Sequence, residues 1–232
     1  MSNIPPATDN ALLQASSDRL LAAVSSLDDA SLGAASHLPG WTRGHVVAHL
    51  ARNADALLNV LRGGPMYADE AVREADIERD APRVHAEQLK DLRESASRLA
   101  AAFAAEDDAS WERTVELRNG VVDRAGSLPF RRRAEVELHH VDLAIGYTLD
   151  DLPADFVERE LAAVAERFEG HPQLADSVEL RAEAGGIHHT GAPGEPAVVV
   201  TGTATALLGW VTGRTDGSGL SANTALPVLP GL

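Results

Sequence analysis

The 232-residue chain contains no cysteine. This absence excludes disulfides, cysteine-ligated zinc fingers, iron–sulfur clusters and a cysteine nucleophile. If the chemistry requires a thiol, the thiol must therefore come from a small molecule. Basic residues are also scarce, because 20 Lys and Arg face 35 Asp and Glu and leave a formal net charge of −15. So acidic a chain repels nucleic-acid phosphates and anionic membranes, and an anionic substrate would need a few local cations.

Long hydrophobic runs are missing as well. No apolar stretch reaches the roughly 18 residues of a membrane-spanning helix, and residues 1–10 lack the basic and apolar segments of a signal peptide. We therefore expect a cytoplasmic protein without a membrane or nucleic-acid partner. The hydrophobic fraction of 44% is ordinary for globular proteins, so a core of useful size can form.

Hydrophobic residues recur at helical spacing through the first two thirds of the chain. Thr8 or Asp9 is expected to cap the first helix, and Thr42 the second. Later helices are predicted to begin at three prolines: Pro82, Pro129 and Pro153. Two segments between these helices, residues 66–80 and 111–122, have no clear pattern.

The composition changes near residue 172, after which Gly, Thr, Val and Ala dominate. Residues 178–182 and 197–200 are predicted to form strands. Thr203 is expected to cap a short helix that ends at Gly213. We therefore predict a mainly α protein, in which a helical bundle over residues 1–171 precedes a small α+β domain over residues 172–232.

The strongest chemical signal lies in the segment FRRRAEVELHHVD, residues 130–142. Glu135 and His139 are four residues apart, so both side chains point to one side of the predicted helix. Helical bundles build metal sites from such carboxylates and imidazoles on facing helices. A catalytic zinc site typically takes three protein ligands and leaves one position open. A third ligand should therefore come from another helix.

Two histidines of the second predicted helix, His45 and His49, are candidates for the third ligand. His49 lies closer to the apolar face and His45 lies in the first turn, so we prefer His49, although spacing alone does not decide between them. Glu137 and His140 form a competing pair on another side of the later helix.

Other interpretations of these residues stay open at this stage. A Glu–His pair at this spacing is also common on exposed helices, where it is a weak surface interaction. Asp142 is either a carboxylate that orients a ligand imidazole or a solvated side chain. The remaining histidines are expected to be structural, surface or loop residues: His37, His85, His171, His188 and His189.

Several segments resemble the mycothiol-dependent maleylpyruvate isomerases, which belong to the DinB-like metal-binding four-helix bundles. The segments follow the order of that family and span residues 40–217. They are GWTRGHVVAH (residues 40–49) with Asn53, PMY (65–67) with Arg73, RAEVELH (133–139) with VDL (141–143), and Gly213-Arg214 with Asp216-Gly217.

The resemblance implies a zinc site formed by His49, Glu135 and His139. It also implies that Arg214 is a functional arginine reaching the cleft from the C-terminal domain. Arg73 matches a second candidate catalytic position, and Asn53 and Arg214 match positions expected to bind the thiol cosubstrate. Without the resemblance, Arg214 would be interpreted as a cation interacting with a helix C-terminus.

The implied reaction converts maleylpyruvate to fumarylpyruvate, a step of gentisate degradation. A thiolate adds to the alkene, the resulting single bond rotates, and elimination returns the thiol and the trans product. Because the chain has no cysteine, the sulfur would belong to mycothiol. Zinc would lower the pKa of the thiol or stabilise the enolate charge, and arginines would bind the two substrate carboxylates.

Two other functions are compatible with the sequence. A mycothiol S-transferase, or another mycothiol-dependent enzyme of secondary metabolism, would leave a stable adduct that mass spectrometry detects. A non-catalytic metal-binding or ligand-binding bundle would bind without turnover. No self-complementary patch is identifiable in the sequence, and a monomer is the working expectation.

Overall fold

The computed structural model describes residues 4–231 and divides into two compact units between Tyr147 and Thr148. The first unit is almost entirely helical, and the second combines helices with a sheet, as the predicted fold class requires. The division lies upstream of the boundary expected between residues 171 and 172. The reason is that the helix Ala154–Arg167 packs against a helix and a strand of the second unit.

Four long helices form a bundle in the first unit. Their bounds, with those of the shorter elements between them, are α1 (Pro6–Ser25), α2 (Asp29–Gly33), α3 (Arg43–Leu61), α4 (Glu70–Asp80), α5 (His85–Ala105), α6 (Asp108–Trp111), β1 (Thr114–Glu116), β2 (Val122–Arg124) and α7 (Leu128–Asp142). Helices α1 and α3 each pack against both α5 and α7. Strands β1 and β2 form an antiparallel hairpin, with Val115 opposite Asp123.

Helix α3 lies at the centre of this bundle and is buried on most of its sides, because α4 covers a face that α5 and α7 leave open. The predicted cap is present, since the Thr42 hydroxyl oxygen accepts from the His45 N–H. Gly63, with a φ of 80°, follows the end of the helix. A left-handed φ at this place favours glycine. The long buried face of α3 gives its polar side chains fixed positions inside the bundle.

The first helix begins earlier than predicted. It starts at Pro6 with Pro5 at the N-cap, so neither Thr8 nor Asp9 caps it, and Asp9 is buried. Proline is well suited to a first helical turn, where its missing N–H would have had no intrahelical partner.

The second unit contains a short 3-10 turn (Leu149–Asp151), α8 (Ala154–Arg167), β3 (Ser177–Ala182), β4 (Ile187–Gly191), β5 (Val198–Gly202), α9 (Ala204–Val211) and β6 (Ser221–Ala222). The strand order is β4-β3-β5-β6, in which β3 and β5 are parallel and the outer strands antiparallel to their neighbours. Both predicted strands and the predicted Thr203 cap of α9 are present. Within residues 4–231, no helix combines the length and apolar character needed to cross a membrane.

Candidate metal centre

One face of α3 and one face of α7 bring a carboxylate and two imidazoles together. His49 lies on α3, and Glu135 and His139 lie on successive turns of α7. One nitrogen from each histidine and one Glu135 oxygen all lie within 4.8 Å of one another. His49 Nε2 is 2.9 Å from Glu135 Oε2, and His139 Nε2 is 3.3 Å from the same oxygen. His49 thus converges on one point with two side chains that follow it by 86 or more residues.

Asp142 fixes the orientation of one of these imidazoles. Its carboxylate oxygen lies 2.8 Å from His139 Nδ1, and its side chain is almost completely buried. Because Nδ1 is engaged on the carboxylate, Nε2 is the nitrogen that faces Glu135. An acid behind a ligating imidazole fixes its tautomer and raises its basicity.

The three groups influence one another's ionisation. Burial opposes the charged form of Glu135, but hydrogen bonds from His139 and His49 outweigh it and hold the pKa of Glu135 well below 4.5. Burial also opposes protonation of His139, yet Asp142 and Glu135 together raise its pKa. In contrast, burial lowers the pKa of His49 despite its bond to Glu135. An ionised carboxylate beside a neutral imidazole is the state in which both groups bind a metal.

The donor set fits a divalent metal ion. Ligand atoms about 2.0–2.2 Å from a tetrahedral zinc ion lie about 3.3–3.6 Å from one another. The 3.3 Å from His139 falls in this range, the 2.9 Å from His49 is slightly shorter, and all three atoms lie within 4.8 Å of one another. Two imidazoles and one carboxylate also leave one tetrahedral position for water or a substrate. His49, Glu135 and His139 are therefore the residues that would hold the ion.

His45, the alternative ligand, has a different environment. Its Nδ1 lies 2.7 Å from the Thr42 hydroxyl and 3.2 Å from the Thr42 nitrogen, so it belongs to the cap of α3. Its Nε2 is 3.4 Å from the exposed carboxylate of Glu78. Trp41 packs between the two histidines, with its ring centroid 6.1 Å from that of His45 and 5.6 Å from that of His49.

The competing pair, Glu137 and His140, lies on another side of α7. Glu137 accepts hydrogen bonds from the Ser16 and Tyr147 hydroxyls at 2.5 and 2.7 Å, and Arg19 Nη2 lies 2.6 Å away. His140 stacks on Tyr147 with a centroid separation of 4.0 Å. These contacts join α7 to α1 and give Glu137 a structural environment.

Helix α4, within the segment that showed no clear pattern, carries Arg73 to the edge of the histidine cluster. Arg73 Nη2 is 3.4 Å from His49 Nδ1, and the guanidinium carbon is 5.8 Å from the centre of the Tyr67 ring. Burial raises the pKa of Tyr67 above 10, so its hydroxyl stays a proton donor at neutral pH. A cavity of about 600 Å³ lies between the loop carrying Tyr67 and the β1–β2 hairpin.

Asn53 lies one helical turn beyond His49 and is buried. Its Oδ1 accepts a hydrogen bond of 2.7 Å from Nη1 of Arg132, a residue of α7 that is 2% exposed. Burial lowers the pKa of Arg132 to about 10, so its guanidinium is charged at neutral pH. Sequence reasoning did not single out Arg132, although this residue precedes Glu135 by three positions and His139 by seven.

Arg214 follows α9 in the second unit, where its Nη1 lies 3.3 Å from the Thr212 carbonyl oxygen. Its catalytic and cosubstrate-binding roles stay predictions.

The other histidines lie outside the cluster formed by His49, Glu135 and His139, and each has neighbours of its own. The His37 N–H donates to the Asp142 carbonyl, His85 Nε2 lies 2.9 Å from the Val24 carbonyl, His171 lies beside Phe168, and His188 and His189 lie in β4.

A family model described as the mycothiol maleylpyruvate isomerase N-terminal domain matches residues 13–144. The chain belongs to the mycothiol maleylpyruvate isomerase family. The C-terminal domain model of the same family matches residues 151–231, so the two matched ranges fall on the two compact units.

Solved structures agree with membership of the isomerase family. The crystal structure of a mycothiol-dependent maleylpyruvate isomerase matches with a TM-score of 0.91 and 25% sequence identity, over 99% of this chain and 98% of the other. The structure of a histidine-to-alanine mutant of that isomerase matches over the same shares, with the same identity and a TM-score of 0.90. No curated protein matches this chain significantly.

Proposed function

We propose that this protein is a mycothiol-dependent isomerase that converts maleylpyruvate to fumarylpyruvate at a site formed by His49, Glu135 and His139. The observation that carries the proposal is the convergence of these three ligand atoms within 4.8 Å in a chain of this family. The absence of cysteine supports the external thiol, since the chain has no thiol of its own for the reaction.

The reaction needs a thiolate and a transient loss of double-bond character. The mycothiol thiolate adds to one alkene carbon, and the electron pair of the double bond moves to the conjugated ketone as an enolate. The former double bond then rotates, and the enolate expels the thiolate to give the trans alkene. A divalent cation, when bound, supplies Lewis acidity that lowers a thiol pKa or stabilises enolate charge.

The surrounding residues hold the ligands and bind the anions of this reaction. Asp142 keeps His139 Nε2 directed at the shared point. Arg73, with a side chain that is 14% exposed at the edge of the cluster, is suited to pair with a substrate carboxylate. Arg214 is proposed as a second such cation, following the match to the family pattern. In a chain with a net charge of −15, Arg73 gives the edge of the cluster a local positive charge for an anionic substrate.

The deciding experiment follows the ultraviolet absorbance of maleylpyruvate with metal-loaded and chelated protein, each with and without mycothiol. We expect isomerisation only when metal and thiol are both present, and free mycothiol should be recovered at the end. A stable thiol adduct in mass spectra would instead indicate a transferase. Metal binding without turnover would indicate a non-catalytic binding protein.

A further inference from the structure

Arg132 is a buried cation without a carboxylate partner. Its side chain is 2% exposed, and no carboxylate oxygen within residues 4–231 lies within 4.0 Å of its guanidinium. The hydrogen bond to Asn53 Oδ1 is the one it makes in this part of the chain. The next residue, Arg133, is equally buried but has the Glu137 carboxylate 4.0 Å from its Nε. Buried charges are ordinarily paired, and the Glu135 carboxylate acts on Arg132 only from beyond this distance, so Arg132 has capacity for a further anion.

The position of Arg132 places this capacity beside the candidate metal centre. Arg132, Glu135 and His139 are spaced i, i+3 and i+7 on α7, so they share one face of that helix. Asn53 follows His49 by four residues on α3. Residues at these spacings have Cβ atoms about 5–6 Å apart. The Asn53–Arg132 pair therefore lies one helical turn from the His49–Glu135 pair.

The unused donors of this pair keep contact with solvent. Arg132 Nε and Nη2 and Asn53 Nδ2 have no acceptor within the described residues. None of these atoms is among the completely buried polar atoms that lack a partner, so each keeps a small accessible surface although the two side chains are only 2–3% exposed. The Tyr67 hydroxyl, another donor, belongs to the same electrostatic neighbourhood. A group surrounded by such donors must be an acceptor, and a carboxylate matches the guanidinium best.

We infer that Arg132, held by Asn53, binds a carboxylate of the substrate one helical turn from the metal ligands and so determines specificity for anionic electrophiles. The inference rests on the proposed function for the identity of the substrate. It gives a dicarboxylate substrate a cation inside the bundle, in addition to Arg73 at the edge. The same donors would give little to an uncharged electrophile, because the guanidinium would stay unpaired.

Binding of maleate, a cis dicarboxylate, tests this subsite without turnover. Calorimetric titration of wild type and Arg132→Met should show roughly 10-fold or greater weakening in the variant, as expected for loss of charged hydrogen bonds. The loss should be the same in metal-loaded and chelated protein. Arg131→Met is the matched control, because Arg131 pairs with Asp123 and should leave maleate affinity unchanged. In turnover, the KM for maleylpyruvate should rise about 10- to 100-fold, while the KM for mycothiol stays the same.

Thermal unfolding separates substrate binding from a structural role. The double variant Arg132→Met/Asn53→Leu removes both partners of this hydrogen bond. Its Tm in the absence of metal should equal or exceed that of the wild-type protein, because an uncompensated buried charge and its acceptor disappear together. A large fall in Tm together with unchanged maleate affinity would overturn the inference.

A conservative variant tests the inference if Arg132→Met does not fold. Arg132→Lys keeps the charge but loses the fork geometry, so maleate should bind several-fold more weakly than to wild type. Wild-type affinity in this variant would overturn the inference. If maleate binding depends on Arg132 but wild type does not isomerise maleylpyruvate, the proposed function fails and the carboxylate site stands.

Discussion

At the scale of single residues, His45 and His49 illustrate how one helical turn separates a helix cap from a candidate metal ligand. Both side chains flank Trp41, and both belong to one family-like segment of α3. His45 is engaged with Thr42, which begins the helix, whereas His49 lies against Glu135 across the bundle. The sequence spacing is compatible with either choice, because the neighbours that distinguish them are remote in sequence.

Substitutions of these two histidines should therefore have different effects on metal binding. For His49→Ala we expect zinc affinity to fall by more than the roughly 10- to 100-fold typical of losing an outer-shell partner. For His45→Gln we expect zinc affinity to stay at the wild-type value, since glutamine is a common residue at this position of a capping box. Zinc titration with a competing chromophoric chelator measures both. Equal affinities in His49→Ala and wild type would remove His49 from the ligand set.

Arg131 and Arg132 show where residue-level prediction ends. Helical periodicity places both near the face of α7 that carries Glu135 and His139. In the structure Arg131 pairs with Asp123 of β2, and Arg132 points into the bundle toward Asn53. Periodicity fixes the face of a helix to within about one residue, but the neighbour that each side chain meets depends on packing.

At the scale of elements, the contact between α1 and α7 depends on buried Glu137. Its carboxylate accepts hydrogen bonds from the Ser16 and Tyr147 hydroxyls and forms an ion pair with Arg19. Charged hydrogen bonds of this kind are worth about 1.5–3 kcal/mol each, and an unsatisfied buried partner adds its own cost. Helix α7, which carries Glu135 and His139, is thus held in place from the side that faces α1.

Glu137→Gln should lower the free energy of unfolding by about 1.5–3 kcal/mol and leave the zinc stoichiometry unchanged. The first effect follows from the loss of the charge, and the second follows because Glu137 faces α1. Urea unfolding and metal analysis of dialysed protein measure them. Glu94→Gln, which removes an exposed pair with Lys90, is the control with little effect on either. A loss of zinc in folded Glu137→Gln would revive Glu137 as a ligand.

The link between β2 and α7 should be sensitive to pH. Burial favours the neutral form of Asp123, but Arg131, Ser127 and the Arg124 N–H outweigh it and lower the pKa of Asp123 below 3.8. A lowered folded pKa gives stability that is present above the unfolded pKa and is lost as the pH falls through the folded pKa. The ion pair is partly exposed, so the whole cluster of contacts is worth about 1 kcal/mol.

Asp123→Asn should accordingly be less stable than wild type by about 1 kcal/mol at pH 7, and the difference should shrink as the pH approaches 3. Urea unfolding curves at both pH values give the comparison. A difference of the same size at the two pH values would show that ionisation of Asp123 is not its source.

Sequence patterns predicted the helices in which hydrophobic residues recur at helical spacing and which begin at a recognisable N-cap residue. Helix α3 with its Thr42 cap and α9 with its Thr203 cap are examples. Helix α4 was not predicted, because residues 70–80 are rich in charged residues and only Ile77 and Asp80 are buried. Its stability comes from the Asp69 cap and from packing on α3, and only the second needs the folded bundle. Yet α4 carries Arg73, so the least predictable element contributes to the candidate site.

At the scale of the whole molecule, the low number of basic residues and the lack of cysteine limit what the protein can do alone. The excess of 35 acidic over 20 basic residues makes the surroundings repulsive to anions. Cations that bind an anionic substrate must therefore be concentrated, which is the role proposed for Arg73 and Arg132 beside the candidate metal centre. The absence of cysteine means that the protein supplies ligands and charge, while the nucleophile enters and leaves with each catalytic cycle.

This division of roles predicts how the protein responds to thiol-specific alkylation. Treating the protein with a maleimide, removing the excess reagent and adding fresh mycothiol should give the same rate of maleylpyruvate loss as untreated protein, since the chain offers no sulfhydryl group. Alkylating the mycothiol instead should abolish the rate, because a blocked sulfur cannot form the thiolate nucleophile. Ultraviolet assays of the two mixtures measure both outcomes. Substantial activity with blocked mycothiol would mean that another nucleophile, such as water, isomerises the substrate.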